Sequence, residues 1–408
     1  MLEKYRERAE SVNFLNIYKA RKAVYQSLKK THLIHYPGLS QMTGAEIYIK
    51  HENHNPTGSF KIRGAVNFMA SLSDEVREKG VIVATRGNHG LATAWAARNE
   101  GIFCNVVVPI NNNPEINSVI KGLGAELMQH GKDFYETQVY CEELADEMGY
   151  YYIEQGNEPG VLNGLGTMGL EIFEDLPEVD TIIVPVGGGG GCASLIRVAQ
   201  AINPGVNIIG VVAEKAPSLK LSLEKGELVT TEAAETFADG LAARSIFQIP
   251  YLIIKDTISE VVAVTEKELI QGVLLSLTQT HNLAEGAGAS GIACALKIKE
   301  KLAGRKVVII MTGANLDRFR REIFDLLGLV RVYTKPPGKK AELTAPYVLR
   351  RGQTVIDAAR LVHKDFAEHL KFARLFRAGH AGSHSQPEGM MVERGHVVED
   401  GDILELHL

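Results

Sequence analysis

The stretch Asn55-Pro-Thr-Gly-Ser-Phe-Lys61 (NPTGSFK) decides how the chain is interpreted. It follows a strand-like run, EIYIKHE at 46–52, and leads into residues 62–71, whose apolar spacing predicts a helix. Lys61 therefore stands where a Gly-Ser turn enters a helix, and helix N-termini attract anions and repel cations. We expect a neutral or covalently engaged amine there, which is the state of a Schiff-base nucleophile. The alternative is a solvated lysine beside a turn.

Three further motifs follow predicted strands. Residues 184–194 read VPVGGGGGCAS, a buried-strand pattern that enters a helix through five glycines, Gly187, Gly188, Gly189, Gly190 and Gly191. Backbone N–H groups that converge in such a loop bind phosphate. The second motif, Thr85-Arg86-Gly87-Asn88-His89-Gly90, lies between a predicted strand at 81–84 and a predicted helix at 91–99, and the third, MTGAN at 311–315, follows a predicted strand at 306–310.

The four motifs NPTGSFKIRGA, RGNHG, the glycine run and TGAN, in this order and at these separations, resemble the fold-type II pyridoxal-phosphate enzymes. They are most similar to the serine/threonine dehydratase (ammonia-lyase) branch, over roughly residues 12–328. The resemblance implies an α/β fold of the tryptophan synthase β type, with two domains and the cofactor in the cleft between them. Strand and helix patterns that alternate from about 46 to 327 also favour parallel sheets covered by helices.

The resemblance also implies roles for individual residues. Lys61 would hold pyridoxal 5'-phosphate as a Schiff base and transfer the substrate proton. Thr312 would face the pyridine nitrogen, where a hydroxyl does not favour a protonated ring, and this suits loss of a β-substituent. The other cofactor-binding residues would be Phe60 on the ring, Asn88 on the ring hydroxyl and Gly187 to Gly191 on the phosphate, while substrate would meet Thr85, Arg86, Gly87 and His89.

Two positions depart from the family pattern. Arg86 occupies the place of the hydroxyl base that family racemases use, and arginine stays protonated. We expect Arg86 to be catalytic by binding a substrate carboxylate or helping the leaving group, the alternative being a surface ion pair. Glu214 and Lys220 align with the cation ligands of metal-binding members, and a hard cation needs oxygen ligands, so we expect no metal. Lys220 would pair with Glu214 or be solvated.

Glu285, Asp239 and three histidines also stand out in the sequence. The motif AEGAGAS at 284–290 resembles a small-residue turn beside the cofactor, which leaves open whether Glu285 lies near the ring. For Asp239 a structural turn is the favoured interpretation. His35, His51 and His54 show no ligand spacing and are interpreted as surface residues.

The composition changes after Gly328. Residues 331–408 carry 12 Lys and Arg against 10 Asp and Glu, whereas residues 1–330 carry 32 against 39. Short strand patterns around a predicted helix at about 355–366 outline a small α+β ubiquitin-like β-grasp, and the sequence resembles the TGS domain. We therefore expect a catalytic region at 1–328, with a smaller subdomain at about 52–150, and a TGS domain at 329–408. Its basic residues would meet RNA, a regulatory ligand or another copy of the chain: Lys339, Lys340, Arg350, Arg351, Lys371, Arg374 and Arg377.

Composition limits the class of protein. No stretch reaches the roughly 18 apolar residues of a membrane span, and the charged N-terminus MLEKYRERAE has no apolar signal region. Four scattered cysteines suit reduced thiols in a cytoplasmic protein better than disulfides or a zinc site. The net charge of -5 gives no general reason to expect nucleic-acid binding. A homodimer is usual for the family that the chain resembles.

Three functions remain open from sequence. The first is a pyridoxal-phosphate-dependent ammonia-lyase for a β-hydroxy amino acid such as L-threonine or L-serine, with phenylserine or hydroxyaspartate favoured if Arg86 faces the substrate. The second is a lyase or synthase that replaces a β-substituent. The third is a regulatory or RNA-binding protein tethered to a TGS domain, and the intact Lys61, Asn88 and Thr312 argue against it.

Overall fold

The computed structural model describes residues 2–315, 328–337, 346–376 and 389–408, in two compact units that divide between residues 317 and 318. The strands of the first unit are β1 Leu33–His35, β2 Glu46–Lys50, β3 Val81–Ala84, β4 Cys104–Val108, β5 Glu126–Gln129, β6 Tyr151–Tyr152, β7 Thr181–Pro185, β8 Asn207–Ala213, β9 Glu260–Val264 and β10 Lys306–Ile310. Its helices are α1 Arg6–Ser11, α2 Phe14–Ser27, α3 Pro37–Thr43, α4 Lys61–Ala70, α5 Asp74–Lys79, α6 Asn88–Glu100, α7 Pro114–Gly122, α8 Phe134–Met148, α9 Pro159–Asp175, α10 Gly190–Ile202, α11 Ser218–Lys225, α12 Gln248–Ile254, α13 Glu266–Thr280, α14 Gly286–Lys297 and α15 Lys299–Leu302.

Two sheets organise the first unit. The larger has the order β1-β2-β10-β7-β8-β9 and is parallel except for β1, whereas the smaller, β5-β4-β3-β6, is parallel throughout. Every residue of β3 and β4 is buried, since helices cover both faces of a parallel sheet. The predicted α/β architecture of parallel sheets covered by helices is confirmed.

Several boundaries differ from the sequence prediction. The strand that precedes the NPTGSFK turn ends at Lys50, and a 3-10 turn at Glu52–His54 replaces its last residues. The helix predicted at 62–71 runs from Lys61 to Ala70, and the helix predicted at 91–99 already begins at Asn88. The smaller sheet includes Tyr151–Tyr152, which pair with β3, so this sheet extends past residue 150.

In its described residues, the second unit consists of a mixed five-stranded sheet and two helices. Its strands are β11 Leu329–Thr334, β12 Tyr347–Arg350, β13 Phe372–Phe376, β14 Met390–Val392 and β15 Asp402–His407, in the order β12-β11-β15-β13-β14, with β11 parallel to β15. The predicted single helix is two helices, α16 Val355–Val362 and α17 Lys364–His369. They separate at His363, whose Nδ1 caps the second by accepting the Asp365 N–H at 3.2 Å. Apolar residues from sheet and helices form one core, including Val332, Ala358 and Leu404.

The four cysteines lie in the interior of the first unit. Cys104, Cys141, Cys192 and Cys294 are all buried and form no disulfide. Across the described ranges, no helix has the length and apolar character needed to cross a membrane.

The strand order brings the sequence motifs together. Strands β2, β10 and β7 are parallel neighbours, with Lys50 opposite Ile310 and Ile309 opposite Ile183. The NPTGSFK turn, the TGAN motif and the glycine run therefore leave the same edge of the larger sheet. Ligands of open α/β sheets bind outside this edge, at the carboxyl ends of the strands.

Candidate active site

Backbone hydrogen bonds fasten the NPTGSFK turn to the TGAN motif. The Phe60 N–H donates to the Thr312 carbonyl at 3.1 Å, and the Ala314 N–H donates to the Gly58 carbonyl at 3.0 Å. Gly58 has a φ of 68° and supplies the left-handed turn that the close approach requires. Thr312 itself is buried, with 5% of its surface exposed. The turn that carries Lys61 is thus held against the end of β10.

Lys61 is the first residue of α4 and is partly exposed. The surrounding protein desolvates the amine and lowers the pKa of Lys61 to about 8, although the nearby Glu285 carboxylate acts in the opposite direction. Its Nζ lies 5.2 Å from the centroid of the Phe60 ring. A larger neutral fraction near neutral pH makes this amine a better nucleophile and base than an ordinary lysine.

The glycine run forms the entry to α10. Gly189 has a φ of 91°, which favours glycine, and Gly190 begins the helix. A Cβ at Gly191 would lie 2.8 Å from the Phe60 ring, and one at Gly187 would lie 2.3 Å from the Gly240 carbonyl oxygen. Side chains are therefore sterically excluded, and backbone N–H groups at a helix N-terminus remain for an anion.

The 85–90 loop is braced by its own threonine. Thr85 Oγ1 accepts the N–H groups of Gly87 at 3.1 Å and Gly90 at 3.2 Å, which fixes the start of α6. Asn88, the first residue of that helix, donates from Nδ2 to both Glu285 oxygens, at 3.0 and 3.3 Å. The loop is thereby tied to the residue that precedes α14.

Glu285 and Asn315 complete this network. The Asn315 backbone N–H donates to Glu285 Oε2 at 3.2 Å, and its side-chain amide donates to Asn88 Oδ1. Sequence reasoning left the place of Glu285 open and gave Asn315 no role. The signals for Glu285 were a single acid immediately before a run of small residues and the resemblance of that run to a turn beside the cofactor.

Unpaired buried polar atoms line the same region. His89 is 4% exposed, and within the described part of the chain neither ring nitrogen has a hydrogen-bond partner. Burial, and then the neighbouring Lys61, lowers the pKa of His89 to about 3, so the ring is neutral. The hydroxyls of Thr57 and Ser59 are likewise unpaired within those ranges. Buried polar groups normally find partners, so these atoms fit a polar ligand such as a phosphorylated hydroxypyridine.

Arg86 forms a contact with Asp239. Its Nη2 lies 3.6 Å from Asp239 Oδ1, and the two side chains are 36% and 41% exposed. A surface ion pair is the alternative that the sequence analysis gave for Arg86. The pair is weak, because the two charged atoms are far apart and both side chains are accessible to solvent. The contact also places the turn at Asp239 beside the site.

The predicted cation-site positions and two of the three conspicuous histidines lie on the surface, and the exception is His51. Glu214 and Lys220 are both exposed, and the described ranges contain neither an ion pair between them nor a group of three metal-ligating side chains. The surface interpretation of His51 is wrong. Its ring is fully buried, bonded to the Tyr36 hydroxyl at 2.8 Å and stacked on His54 at 4.6 Å, because the 3-10 turn after β2 folds it inward.

Comparisons with known proteins agree with this geometry. The model of the family "Pyridoxal-phosphate dependent enzyme" matches residues 24–313, and the TGS domain model matches residues 330–408. The L-threonine ammonia-lyase of Thermotoga maritima is 38% identical over 302 residues, which are 74% of this chain and 75% of the relative. The catabolic L-threonine dehydratase TdcB of Staphylococcus aureus is 36% identical over 76% of this chain and 91% of its own length.

Solved structures of related enzymes are also similar to this chain. Threonine deaminase isoform 2 of Solanum lycopersicum superposes with a TM-score of 0.74 at 32% identity, over 79% of this chain and 94% of the other. Maize serine racemase superposes with a TM-score of 0.72 at 28% identity, over 77% and 98%. Through residues 24–313 the chain belongs to the family of pyridoxal-phosphate dependent enzymes, and a TGS domain follows at its C-terminal end.

Proposed function

We propose that this chain is a pyridoxal-phosphate-dependent ammonia-lyase. Its substrate is a β-hydroxy amino acid, L-threonine or L-serine first, and its products are a 2-oxo acid and ammonia. The observation that carries the proposal is Lys61, a lysine whose pKa is lowered to about 8 at the start of a helix beside the glycine run. Relatives that are 36–38% identical bear the name of the threonine reaction.

Lys61 is the central catalytic residue of the proposal. Pyridoxal 5'-phosphate, when bound, supplies the electron sink for the charge that develops at the substrate α-carbon. Lys61 would hold the cofactor through Nζ, and its free amine would take up and return the α-proton. An amine whose pKa is near the working pH does this better than one that stays fully charged.

The other site residues bind and orient the cofactor and the substrate. Phe60 would pack beside the ring, Asn88 would bond its hydroxyl and Thr312 would face its nitrogen. The backbone of Gly187 to Gly191 holds the phosphate, because the N-terminus of α10 favours an anion and no side chain fits in the loop. Substrate would lie against Thr85, Arg86, Gly87 and His89, where the His89 ring, whose nitrogens have no partner among the described residues, provides a hydrogen-bonding surface.

Arg86 favours a particular group of substrates. Its guanidinium is partly exposed and only weakly paired with Asp239, so a substrate carboxylate can compete for it. This supports a second candidate substrate with a charged β-substituent, such as hydroxyaspartate. Threonine and hydroxyaspartate undergo the same elimination of the β-hydroxyl group. They differ in the second substituent of the β-carbon, which is the group that would meet Arg86.

The test follows the ultraviolet–visible spectrum of the purified holoenzyme while β-substituted amino acids are added one at a time. Oxo acid and ammonia are assayed in parallel. We expect a cofactor band that responds to the true substrate and a stoichiometric release of both products. A cofactor-bound protein that is inert to threonine, serine, phenylserine and hydroxyaspartate would contradict the proposal.

The domain division and the partners also belong to the proposal. Residues 1–328 form the catalytic region, with a smaller subdomain at about 52–150, and residues 329–408 form the TGS domain. The enzyme works in the cytoplasm as a homodimer or higher oligomer, and the TGS domain binds a regulatory ligand or RNA. Arg350, Arg351, Lys371 and Arg374 are exposed and suit such a ligand, whereas Lys339, Lys340 and Arg377 lie outside the described residues. Analytical ultracentrifugation and an RNA pull-down test these points.

A further inference from the structure

A second polar cluster lies in the interior next to the NPTGSFK turn, and its residues have no role in the proposed reaction. Lys50, Glu52, Arg63 and Glu171 are each 0% exposed. Arg63 donates from Nε to Glu52 Oε2 at 2.7 Å and from Nη1 to Glu171 Oε1 at 2.6 Å. Lys50 Nζ donates to Glu171 Oε2 at 2.6 Å. Two cations and two carboxylates therefore form one neutral, fully buried network.

Glu52 closes the turn that carries Lys61. Its Oε2 accepts Asn55 Nδ2 at 2.9 Å and Arg63 Nε at 2.7 Å. These two donors stand at the beginning of the NPTGSFK turn and just after its end, in the first turn of α4. One carboxylate oxygen thus holds both ends of the segment from which Lys61 projects.

Glu171 fixes the same arginine to the rest of the unit. Its Oε2 accepts Arg63 Nη2 at 2.8 Å, from the interior of α9. A Cβ at Gly64 would lie 2.7 Å from the Val161 carbonyl oxygen, and one at Gly164 would lie 2.4 Å from that of Arg63. Glycines therefore let α4 and α9 approach at backbone distance. The start of α4 is held from two directions, by the turn and by α9.

The network is better suited to positioning than to stability. Burial by itself would raise the pKa of Glu52, but Arg63 and Lys50 keep it below the ordinary value, so the carboxylate stays charged. Burial opposes the charge of Arg63, and the carboxylates of Glu52 and Glu171 raise the pKa of its guanidinium. Buried ion pairs carry a large desolvation cost and are weak evidence for stability, whereas their fixed geometry specifies one arrangement.

We propose that Glu52 and Arg63 are positioning residues for Lys61: their ion pair, anchored by Glu171, sets the place of the reactive amine. The inference rests on the proposed function, because it assigns a purpose to residues that act through Lys61. Neither residue is among those that the proposed function places against the cofactor or the substrate. Misplacing a reacting group by about 1 Å can cost roughly 100-fold in rate, so an ion pair that positions Lys61 without contacting the substrate has a measurable effect.

The test uses the full-length holoenzyme with Glu52→Gln, which keeps the shape but replaces one carboxylate oxygen with an amide nitrogen facing two donors. We expect kcat to fall by about 10- to 100-fold with KM nearly unchanged. Hydroxylamine should also remove bound cofactor about 10-fold faster, because the turn no longer holds Lys61 in place. This rate is followed by loss of the visible absorbance and does not depend on turnover.

The matched control is Glu158→Gln. Glu158 is another buried glutamate, immediately before α9, and it pairs with Arg8 at 3.4 Å and accepts the Tyr151 hydroxyl at 3.0 Å, neither of which belongs to the NPTGSFK turn. We expect this variant to lower the thermal midpoint while kcat and the hydroxylamine rate stay at wild-type values. Equal effects in both variants would show that Glu52 acts only through stability and would overturn the inference.

A milder variant covers the case in which Glu52→Gln does not fold. Asn55→Ala removes one of the two donors to Glu52 Oε2. It should lower kcat and accelerate the removal of cofactor by hydroxylamine, each by a smaller factor than Glu52→Gln. Wild-type values in Asn55→Ala, or in a folded Glu52→Gln, would refute the positioning role. The proposed function would survive that result as long as Lys61→Ala is inactive, and it would fail separately if Lys61→Ala is active.

Discussion

Asn88 Nδ2 donates to Glu285 Oε1 at 3.0 Å, which joins side chains 197 positions apart in the sequence. This hydrogen bond brings the 85–90 loop of the smaller sheet to the start of α14 in the larger part of the unit. The same carboxylate raises the pKa of Lys61 against the stronger effect of burial. Glu285 therefore links the orientation of Asn88 to the charge of the reactive amine.

Replacing Lys61 tests the chemistry most directly. Lys61→Ala removes the only amine that the proposal places on the cofactor, so we expect turnover to be abolished and the absorbance of the lysine-bound cofactor to disappear. Steady-state kinetics and a visible spectrum measure the two effects. A variant with full activity would refute the mechanism.

Replacing Glu285 tests the electrostatics of the site. Glu285→Gln removes a negative charge that raises the pKa of Lys61, so the pKa should fall below its value of about 8. The pH dependence of Lys61 acylation in the cofactor-free chain, followed by mass spectrometry, reports this value. Glu232→Gln, at an exposed glutamate, is the control and should leave the midpoint unchanged. A midpoint that rises in Glu285→Gln would be inconsistent with the network.

Arg86→Ala tests substrate selection. Loss of a charge-assisted hydrogen bond costs about 1.5–3 kcal/mol, so we expect kcat/KM for a substrate with a β-carboxylate to fall by roughly 10- to 100-fold relative to threonine. Cofactor retention should change much less. Asp239→Asn keeps the guanidinium and weakens its present ion pair, and it should not reproduce the loss. Unchanged kinetics across all substrates would show that Arg86 does not meet the substrate.

We expect His51 to make the first unit sensitive to acid. Burial, and then repulsion from His54, His32 and Lys50, lowers the pKa of His51 to about 4, whereas an unfolded histidine titrates near 6.5. The unfolded chain therefore binds the extra proton first as the pH falls. The corresponding stability is fully present above about pH 6.5 and is lost between about 6.5 and 4, an effect on the order of 3 kcal/mol.

Thermal unfolding between pH 7 and 4.5 measures this effect. His51→Asn should show a smaller fall in the unfolding midpoint across this range than the wild type. His281→Asn is the control, because His281 is exposed and Asn tolerates its positive φ of 55°. Parallel pH curves for the wild type and His51→Asn would contradict the assignment.

The local patterns of this sequence predicted much of the structure. Buried-strand runs such as VIVA at 81–84 and KVVII at 306–310 appear as β3 and β10 with the predicted bounds, because continuous apolar runs of this length suit strands covered on both faces. Helix boundaries were less accurate. The helix predicted from Leu91 begins at Asn88, since the Thr85 hydroxyl braces a turn that apolar periodicity does not record.

By itself the sequence determined the family, the parallel α/β fold, the C-terminal domain and the lysine at the entry to α4. Those features are encoded in short motifs and in the periodicity of neighbouring residues. Only the tertiary structure decided that Glu285 meets Asn88, that Arg86 meets Asp239, that His51 is buried, and that Glu52 and Glu171 hold Arg63. Most of these contacts join residues about 100 to 200 positions apart, and the others depend on how a turn folds inward. Such contacts form because the crossover order of parallel strands brings distant loops to one edge, where charge and hydrogen bonding select the partners.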